Sequence, residues 1–554
     1  MVAKLLPTAT RAQDLSFVTQ CSLDGLRERL PLQWPTPPDV LPSPKKDYRS
    51  HYVYLGWDDL QDPETWKHLS DFDWLLRLID FEPLRPALAQ RLGWTSARGW
   101  KPFDPVSIFL LLGWQITNKW KRSQLLDKLC DPRYADYAQR FGFQDGVFPT
   151  EGGLRHWLTA LGHHSQNGDA ILVDEEQQIE IAVEYLNQLI VQSVGLLLES
   201  GLVSPQAWEQ ALIGPDGMLH DAASRLRCSA VSASCYQPAP RPCPAKEKDQ
   251  PGCDCDTHHC VSICRRTTPR DPEARFVWYE GSNQPADSDS NPSQRGEARY
   301  GYASLPLLLA DPARRFHIVL LDHFSPANAR PENPFAAQLL QLSRFYPSLH
   351  VSDVVGDAAF GYDVVLRTVY HVLHARRVID LRAHNTDRNK ALWPIRGYDA
   401  QGRPVCPFGY TFTANGFDFH RQRHKWFCGR ACLNGAAPII RLKDADHPPV
   451  ECPYLGPHHP HGRILNVGER FADGSIRLVR DLPFRSPSWK RLYHRARNAS
   501  ESRNALFEDW GFKRLSVYGA PRSKALLFLA DVWANLTTLA RLIREATAAT
   551  GMTT

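Results

Sequence analysis

Residues 351–363 read VSDVVGDAAFGYD. Val351, Val354 and Val355 make a β-branched run, and Gly356 alone separates it from Asp357, so the sequence predicts a buried strand that delivers a carboxylate at its carboxyl end. Residues 211–221, ALIGPDGMLHD, repeat the device: a short apolar run leads to Asp216, and Gly217 after it lets a backbone or an ion come close. Each acid has a rival. Asp221 lies five residues beyond Asp216, and Asp353 precedes Asp357 but sits within the predicted strand, sharing the direction of Val351 and Val355. A third acid, Glu501, stands in YHRARNASESRNALFEDWGFKR (493–514), a predicted helix crowded with arginine and lysine. Three convergent carboxylates suit a pair of divalent cations, because Mg²⁺ prefers hard oxygen ligands and two ions can clamp both oxygens of a phosphodiester displacement.

The segments around these acids give an order of elements. ALIG (211–214), GYASLPLLLA (301–310) and RFHIVLLD (315–322) read as three strands, 334–345 as a helix, VSDVV as a fourth strand, GYDVVLRTVYHVL (361–373) as a helix and RVIDL (377–381) as a fifth strand. Three strands in succession followed by alternating helix and strand is the order of an RNase H-like α/β core, a mixed five-stranded sheet with flanking helices. This core spans 206–383, with a Cys-rich insertion at 226–290. A second insertion, rich in Cys, His and Pro and read as irregular, covers 384–485. The carboxyl-terminal helices, 486–554, complete the core. The first of them starts with Ser486 as N-cap and Pro487 in the first turn, and Tyr493, Arg497 and Glu501, spaced four apart, share a face of it. A plain Arg497–Glu501 ion pair would also explain that spacing. A more apolar stretch, 525–543, closes the chain as a packing helix.

Upstream, residues 1–60 are rich in proline and aromatics and read as an extended lead-in. Between 61 and 165 the pattern is helical: WLLRLIDFEPLRPALAQRL, DPVSIFLLLGWQI, SQLLDKLCDPRYADYAQRF and TEGGLRHWLTALG each carry apolar residues at helical spacing. Asp104 before Pro105, then Ser123 and Thr150, are the expected caps. Short helices joined by turns make an all-α domain, either a DNA-binding module of the kind that enters the major groove or a purely structural one. An amphipathic stretch at 174–198 within 166–205 is expected to form a helix connecting this part to the core.

The chain has 554 residues, 43% of them apolar, and a formal net charge of +5. That balance is a weak argument for nucleic acid, but its distribution is stronger. Between Arg485 and Lys524 ten Lys/Arg stand against three acids, an excess of seven that exceeds the whole-chain charge. Such an excess suits a surface that contacts phosphates. The opening MVAKLLPTATRAQDLSF lacks the apolar core of a secretory signal, and no run of about 18 apolar residues suggests a membrane span, so a cytoplasmic protein without a membrane partner is expected. Its thirteen cysteines should then be thiols or metal ligands, and eleven fall in two clusters. CDCDTHHCVSIC places Cys253, Cys255, Cys260 and Cys264 at spacings that suit a structural Zn²⁺, and Cys406, Cys428, Cys432 and Cys452 could form a second, ribbon-like Zn²⁺ site. No G-x-x-x-x-G-K-[ST] run is present, so coupling to ATP is not expected.

PDGMLHDAASR, GDAAFGYDVV and RARNASESRNALFEDWGFKRLSVYG, with LRPALAQRLGWTSARGWKPFDPVSIFLLLGWQI and PTEGGLRHWLTALG upstream, resemble blocks of the DDE transposases of bacterial insertion sequences, the group whose third acid lies in a Tyr, Arg, Glu, Lys signature helix. The resemblance covers most of the chain, and its third block is the most specific. It implies an RNase H-like catalytic core, two Mg²⁺ or Mn²⁺ ions, and cleavage and strand transfer of double-stranded DNA at transposon terminal repeats, by a homodimer in a bacterial or archaeal cytoplasm. Carried onto this sequence, Asp216, Asp357 and Glu501 match the metal-binding acids, with Tyr493 and Arg497 flanking the third and Lys513 as the signature lysine; together with Arg495, Arg503 and Arg514 of the basic stretch, these three are the expected DNA contacts. The intervals from Tyr493 to Arg497 and from Glu501 to Lys513 are longer than in that signature. Two other readings remain: an RNase H-like nuclease that cuts without joining, and a zinc-stabilised DNA-binding regulator derived from such an enzyme.

Overall fold

Among the described residues, apolar periodicity in the amino-terminal part resolves into six helices: α1 (Asp71–Leu78), α2 (Leu84–Arg91), α3 (Pro105–Thr117), α4 (Arg122–Leu129), α5 (Ala135–Arg140) and α6 (Glu151–His163). The computed structural model describes residues 28–36, 47–57, 68–94, 100–143, 146–163, 186–223, 271–280, 296–311, 316–379, 403–421, 423–439, 446–468 and 487–551, with a few short strands and single residues between them. Asp104 caps α3, accepting the Val106 N–H at 2.9 Å, and its other oxygen holds Arg85 of α2 at 2.7 Å, so one buried carboxylate serves both as cap and as interhelix tie. Thr150 caps α6 by accepting from Gly153 at 3.1 Å. Ser123 does not cap α4. That helix begins earlier, at Arg122, where Gln124 Oε1 accepts the Lys121 N–H at 2.9 Å.

The expected connecting helix over 166–205 is composite. Strands Asp169–Leu172 and Gln178–Ile181 pair antiparallel, and only then do α7 (Asn187–Glu199) and the single turn α8 (Pro205–Glu209) follow. The reason is visible in Gln178–Ile181 itself, QIEI, whose alternation has the period of a strand.

The core follows in chain order: β1 (Ala211–Pro215), β2 (Met218–Asp221), β3 (Arg275–Glu280), β4 (Gly296–Ser304), β5 (Leu307–Ala310), β6 (His317–Leu321), β7 (Phe324–Pro326), α9 (Glu332–Phe345), β8 (Val351–Gly356), α10 (Asp363–Arg367) and β9 (Arg376–Ile379). Five of these strands make one mixed sheet in the order β6-β5-β1-β8-β9. β5 runs antiparallel to both β6 and β1, whereas β8 runs parallel to β1 and β9 parallel to β8. The segment 301–310, expected as one strand, is two. Pro306 has no N–H to give a ladder, and the break there sends β4 into a second sheet with β2, β3 and β7 while β5 stays in the first.

The second insertion is more regular than expected. Between 403 and 468 it carries β10 (Thr413–Asp418), β11 (Arg423–Phe427) and β12 (Ile464–Gly468), an antiparallel sheet. The chain then returns as α11 (Pro487–Asp509) and α12 (Ala520–Gly551). Because strand side chains alternate, Leu212, Ala310, Val355 and Val378 form one face of the five-stranded sheet, and Trp489, Ala496 and Ala499 of α11 pack on it. α12 packs against α1, α3, α6, α7 and β6. By length and composition Ala520–Ala546 could cross a membrane, but this stretch is nearly all buried inside the protein. Trp533 stacks between Phe72 of α1 and Phe109 of α3, with ring centroids 5.1 and 5.4 Å away. Each fully buried Leu or Phe of α12 contributes roughly 1.5–3 kcal/mol, and one continuous core joins the amino-terminal helices to the sheet through it.

Candidate active site

β1 and β8 lie side by side in parallel, with Ala211 opposite Val351 and Ile213 opposite Val354, so both strands end at the same edge of the sheet. Asp216 is the first residue past β1 and Asp357 the first past β8. Carboxyl edges of parallel strands are where α/β folds open their crevices. Here α11 crosses above the edge, and the two acids line one cleft with Tyr493, Arg497 and Ser500. Tyr493, Arg497, Ser500 and Asn504 recur at helical spacing and so share a face of α11. Asn504 Nδ2 donates to Asp216 Oδ2 at 2.8 Å. Asp357 Oδ1 accepts the Ala359 N–H at 2.8 Å, which fixes the turn after β8.

The acids are close enough to sense each other. Burial pushes the Asp216 carboxyl up to about 6; the charge of Asp357 adds to that rise, while the Arg497 guanidinium and the Ser500 hydroxyl oppose it. Glu501 stands at the rim. Its side chain is 59% exposed and accepts from Arg497 Nε at 3.0 Å, so the ion pair expected from the spacing does form, and through it the third acid is linked to the cleft. The structure thus brings Asp216 and Asp357 together and leaves Glu501 one residue off the lining face. Among the described residues no group of three or more His, Cys, Asp or Glu side chains is poised to hold a metal ion.

The rival acids are otherwise engaged. Asp221 takes a two-pronged ion pair from Arg299 of β4, both contacts at 2.9 Å. Asp353 is buried and held by Arg376 at 2.7 and 2.8 Å. Both acids support the sheets and neither lines the cleft.

Among the expected DNA contacts, Tyr493 lines the cleft and stacks on Trp489 with centroids 4.5 Å apart. Arg495 is half-buried, and Lys513 and Arg514 are exposed, Lys513 donating to Glu508 at 3.3 Å. Arg503 is a correction. Its side chain is fully buried, with Nη2 2.9 Å from Asp531 and 3.9 Å from Asp322, and its guanidinium lies over the Phe507 ring. A count of basic residues treats Arg503 like its neighbours, yet its side of α11 faces α12. Burial raises the carboxyls of both Asp322 and Asp531, and Arg503 opposes the rise.

Cys253, Cys255, Cys260 and Cys264 lie outside the described residues. Cys406, Cys428, Cys432 and Cys452 line a common pocket in the second insertion. Burial pushes the Cys406 thiol up to about 11, backbone N–H groups of Tyr410 and Phe408 oppose it, and Cys452 and Cys428 add to it. Two residues at Asp216 were not singled out from the sequence: Ser500, which lines the cleft, and Asn504, which donates to the acid. The helical spacing that grouped Tyr493 with Arg497 reaches both when it is continued.

No family model and no curated protein matches the chain. Among solved structures it is similar to one described as a piggyBac transposase synaptic complex with hairpin DNA, at 10% identity over 83% of this chain and 75% of that one, with a TM-score of 0.29. A likeness that loose carries neither a fold nor a residue correspondence.

Proposed function

We propose that this chain is a DNA transposase of the insertion-sequence type, cleaving double-stranded DNA at the ends of its element and joining them to target DNA, with Asp216, Asp357 and Glu501 holding two Mg²⁺ or Mn²⁺ ions. The observation that carries the reading is the placement of Asp216 and Asp357 at adjacent parallel strand ends, in one cleft under a basic helix. The strand order supports it too: third, second, first, fourth, fifth, with only the second antiparallel to the rest, is the arrangement of an RNase H-like core. Hard carboxylate oxygens fit the ions. Burial and the nearby charge of Asp357 both lift Asp216, and a divalent cation relieves the two together. Bound there, the ions would activate the attacking oxygen and stabilise the leaving one.

The chain's own residues do the rest. Asn504 holds one oxygen of Asp216 through its amide N–H. Arg497, at the rim between Asp216 and Glu501, offers a guanidinium to a backbone phosphate. Arg495, Lys513 and Arg514 supply further positive charge for the duplex.

The test uses purified protein, DNA carrying the element's ends, and Mg²⁺. D216A, D357A and E501A should each lose cleavage while keeping DNA affinity, and normal cutting by any of them removes that acid from the site. Products joined to target DNA distinguish a transposase from a nuclease that only cuts.

A further inference from the structure

We propose that Cys406, Cys428, Cys432 and Cys452 form a structural zinc site that staples the module spanning 403–468. The four thiols come from separate turns: Cys406 follows the short strand Pro404–Val405, Cys428 follows β11, Cys432 lies one turn on, and Cys452 precedes the 3₁₀ turn Pro453–Leu455. All four line one pocket, and none is in a disulfide.

Local backbone is curled around the sulfurs. Tyr410 N–H donates to Cys406 Sγ at 3.3 Å, and Arg463 N–H donates to Cys428 Sγ at 3.1 Å. Both turns need left-handed residues: Gly409 (φ 90°) after Cys406, and Gly429 (φ 55°) and Arg430 (φ 51°) after Cys428. A non-glycine residue in that region is uncommon, so the Arg430 conformation is held by its surroundings. At Gly462 a Cβ would stand 2.0 Å from Cys428 Sγ, so only glycine leaves the sulfur its place.

The module's core is small: Val405, Tyr410, Phe412 and Leu465 are its buried apolar side chains among the described residues. Along β10 and β11 every side chain is exposed or half-buried. A small sheet with so little buried surface is ordinarily stapled by a metal or by disulfides. Four soft thiolates around one pocket select zinc over magnesium, and four protein ligands leave no open position for catalysis. The sulfurs do not already stand at ion-holding spacing, so binding draws the four side chains inward by rotation.

The experiment measures zinc in the full chain purified without chelator, and compares wild type, a variant with Cys253, Cys255, Cys260 and Cys264 all changed to serine, and C428S/C432S. Zinc should persist in the first variant and fall by one equivalent in the second. Co²⁺ loaded into the first variant should give the strong thiolate charge-transfer and tetrahedral bands of a four-sulfur site, a readout that does not depend on C428S/C432S folding. G462A should weaken zinc retention against a chelator by about 10–100-fold, the usual effect of disturbing groups that position a ligand. Unchanged zinc in C428S/C432S, an octahedral Co²⁺ spectrum, or recovery of these four cysteines as disulfides overturns the proposal.

Discussion

Asn504 Nδ2 reaches Asp216 Oδ2 across 2.8 Å, tying a helix to the end of a strand 288 residues away in sequence. The contact fixes how the acid faces the cleft. Replacing Asn504 with alanine should therefore raise the Mg²⁺ concentration needed for cleavage by roughly 10–100-fold, as loss of ligand-orienting hydrogen bonds does, while the melting temperature changes little. Titrating cleavage against Mg²⁺ reads the effect. An unchanged Mg²⁺ requirement would reduce Asn504 to an ordinary packing residue.

Asp216 makes stability depend on pH in an unusual direction. Its folded pKa, about 6, lies above the ordinary 3.8. Between those values the folded chain binds more protons than the unfolded one, so stability falls as pH rises through that window. Removing the charge with D216N should stabilise the metal-free protein above pH 6 by up to about 3 kcal/mol, because each pH unit separating the two pKa values is worth about 1.4 kcal/mol. The gain should vanish below pH 4. Melting curves in chelator buffer across that range test it; a D216N protein less stable than wild type at pH 7.5 would contradict the buried-carboxylate picture.

Arg503 is expected to behave as a core residue. R503A leaves Asp531 and Asp322 buried without their cation, a change that typically costs about 3–5 kcal/mol, and should lower the melting temperature sharply. R514A, on the exposed surface, should leave the melting temperature alone and reduce the salt dependence of DNA binding by about one phosphate contact. The reverse pattern would return Arg503 to the DNA surface.

The packing of α12 can be probed at Gly113 in α3. A Cβ built there would lie 1.9 Å from the Trp533 ring, and neither the ring, stacked between Phe72 and Phe109, nor the helix backbone has room to yield. G113A should destabilise by about 1–3 kcal/mol or more despite the better helix propensity of alanine. Thermal unfolding measures this, and a stabilised G113A would mean that α3 and α12 sit farther apart.

Features set by neighbours in sequence were legible. The run ending in Gly356–Asp357, the Asp104–Pro105 start of α3 and the shared face of Tyr493 and Arg497 all follow from local spacing, and the five sheet strands lie where the apolar runs placed them. What escaped depended on distant partners. Arg503 turns inward because Asp531 awaits it on α12, and the pairing of Asp221 with Arg299, 78 residues away, had no local signal. β10 to β12 were hidden because a sheet with almost no buried face lacks the apolar alternation by which strands are read. The split at Pro306 had a local signal, the missing N–H, which the strong flanking run of leucines masked.

The most direct test of the shared acid site is a crystal of the protein soaked in Mn²⁺ and measured for anomalous scattering. The expected result is a peak between the carboxylates of Asp216 and Asp357, with Glu501 turned from Arg497 toward it and the peak lost in D357N. A map with no peak in that cleft, or one unaffected by D357N, would contradict it.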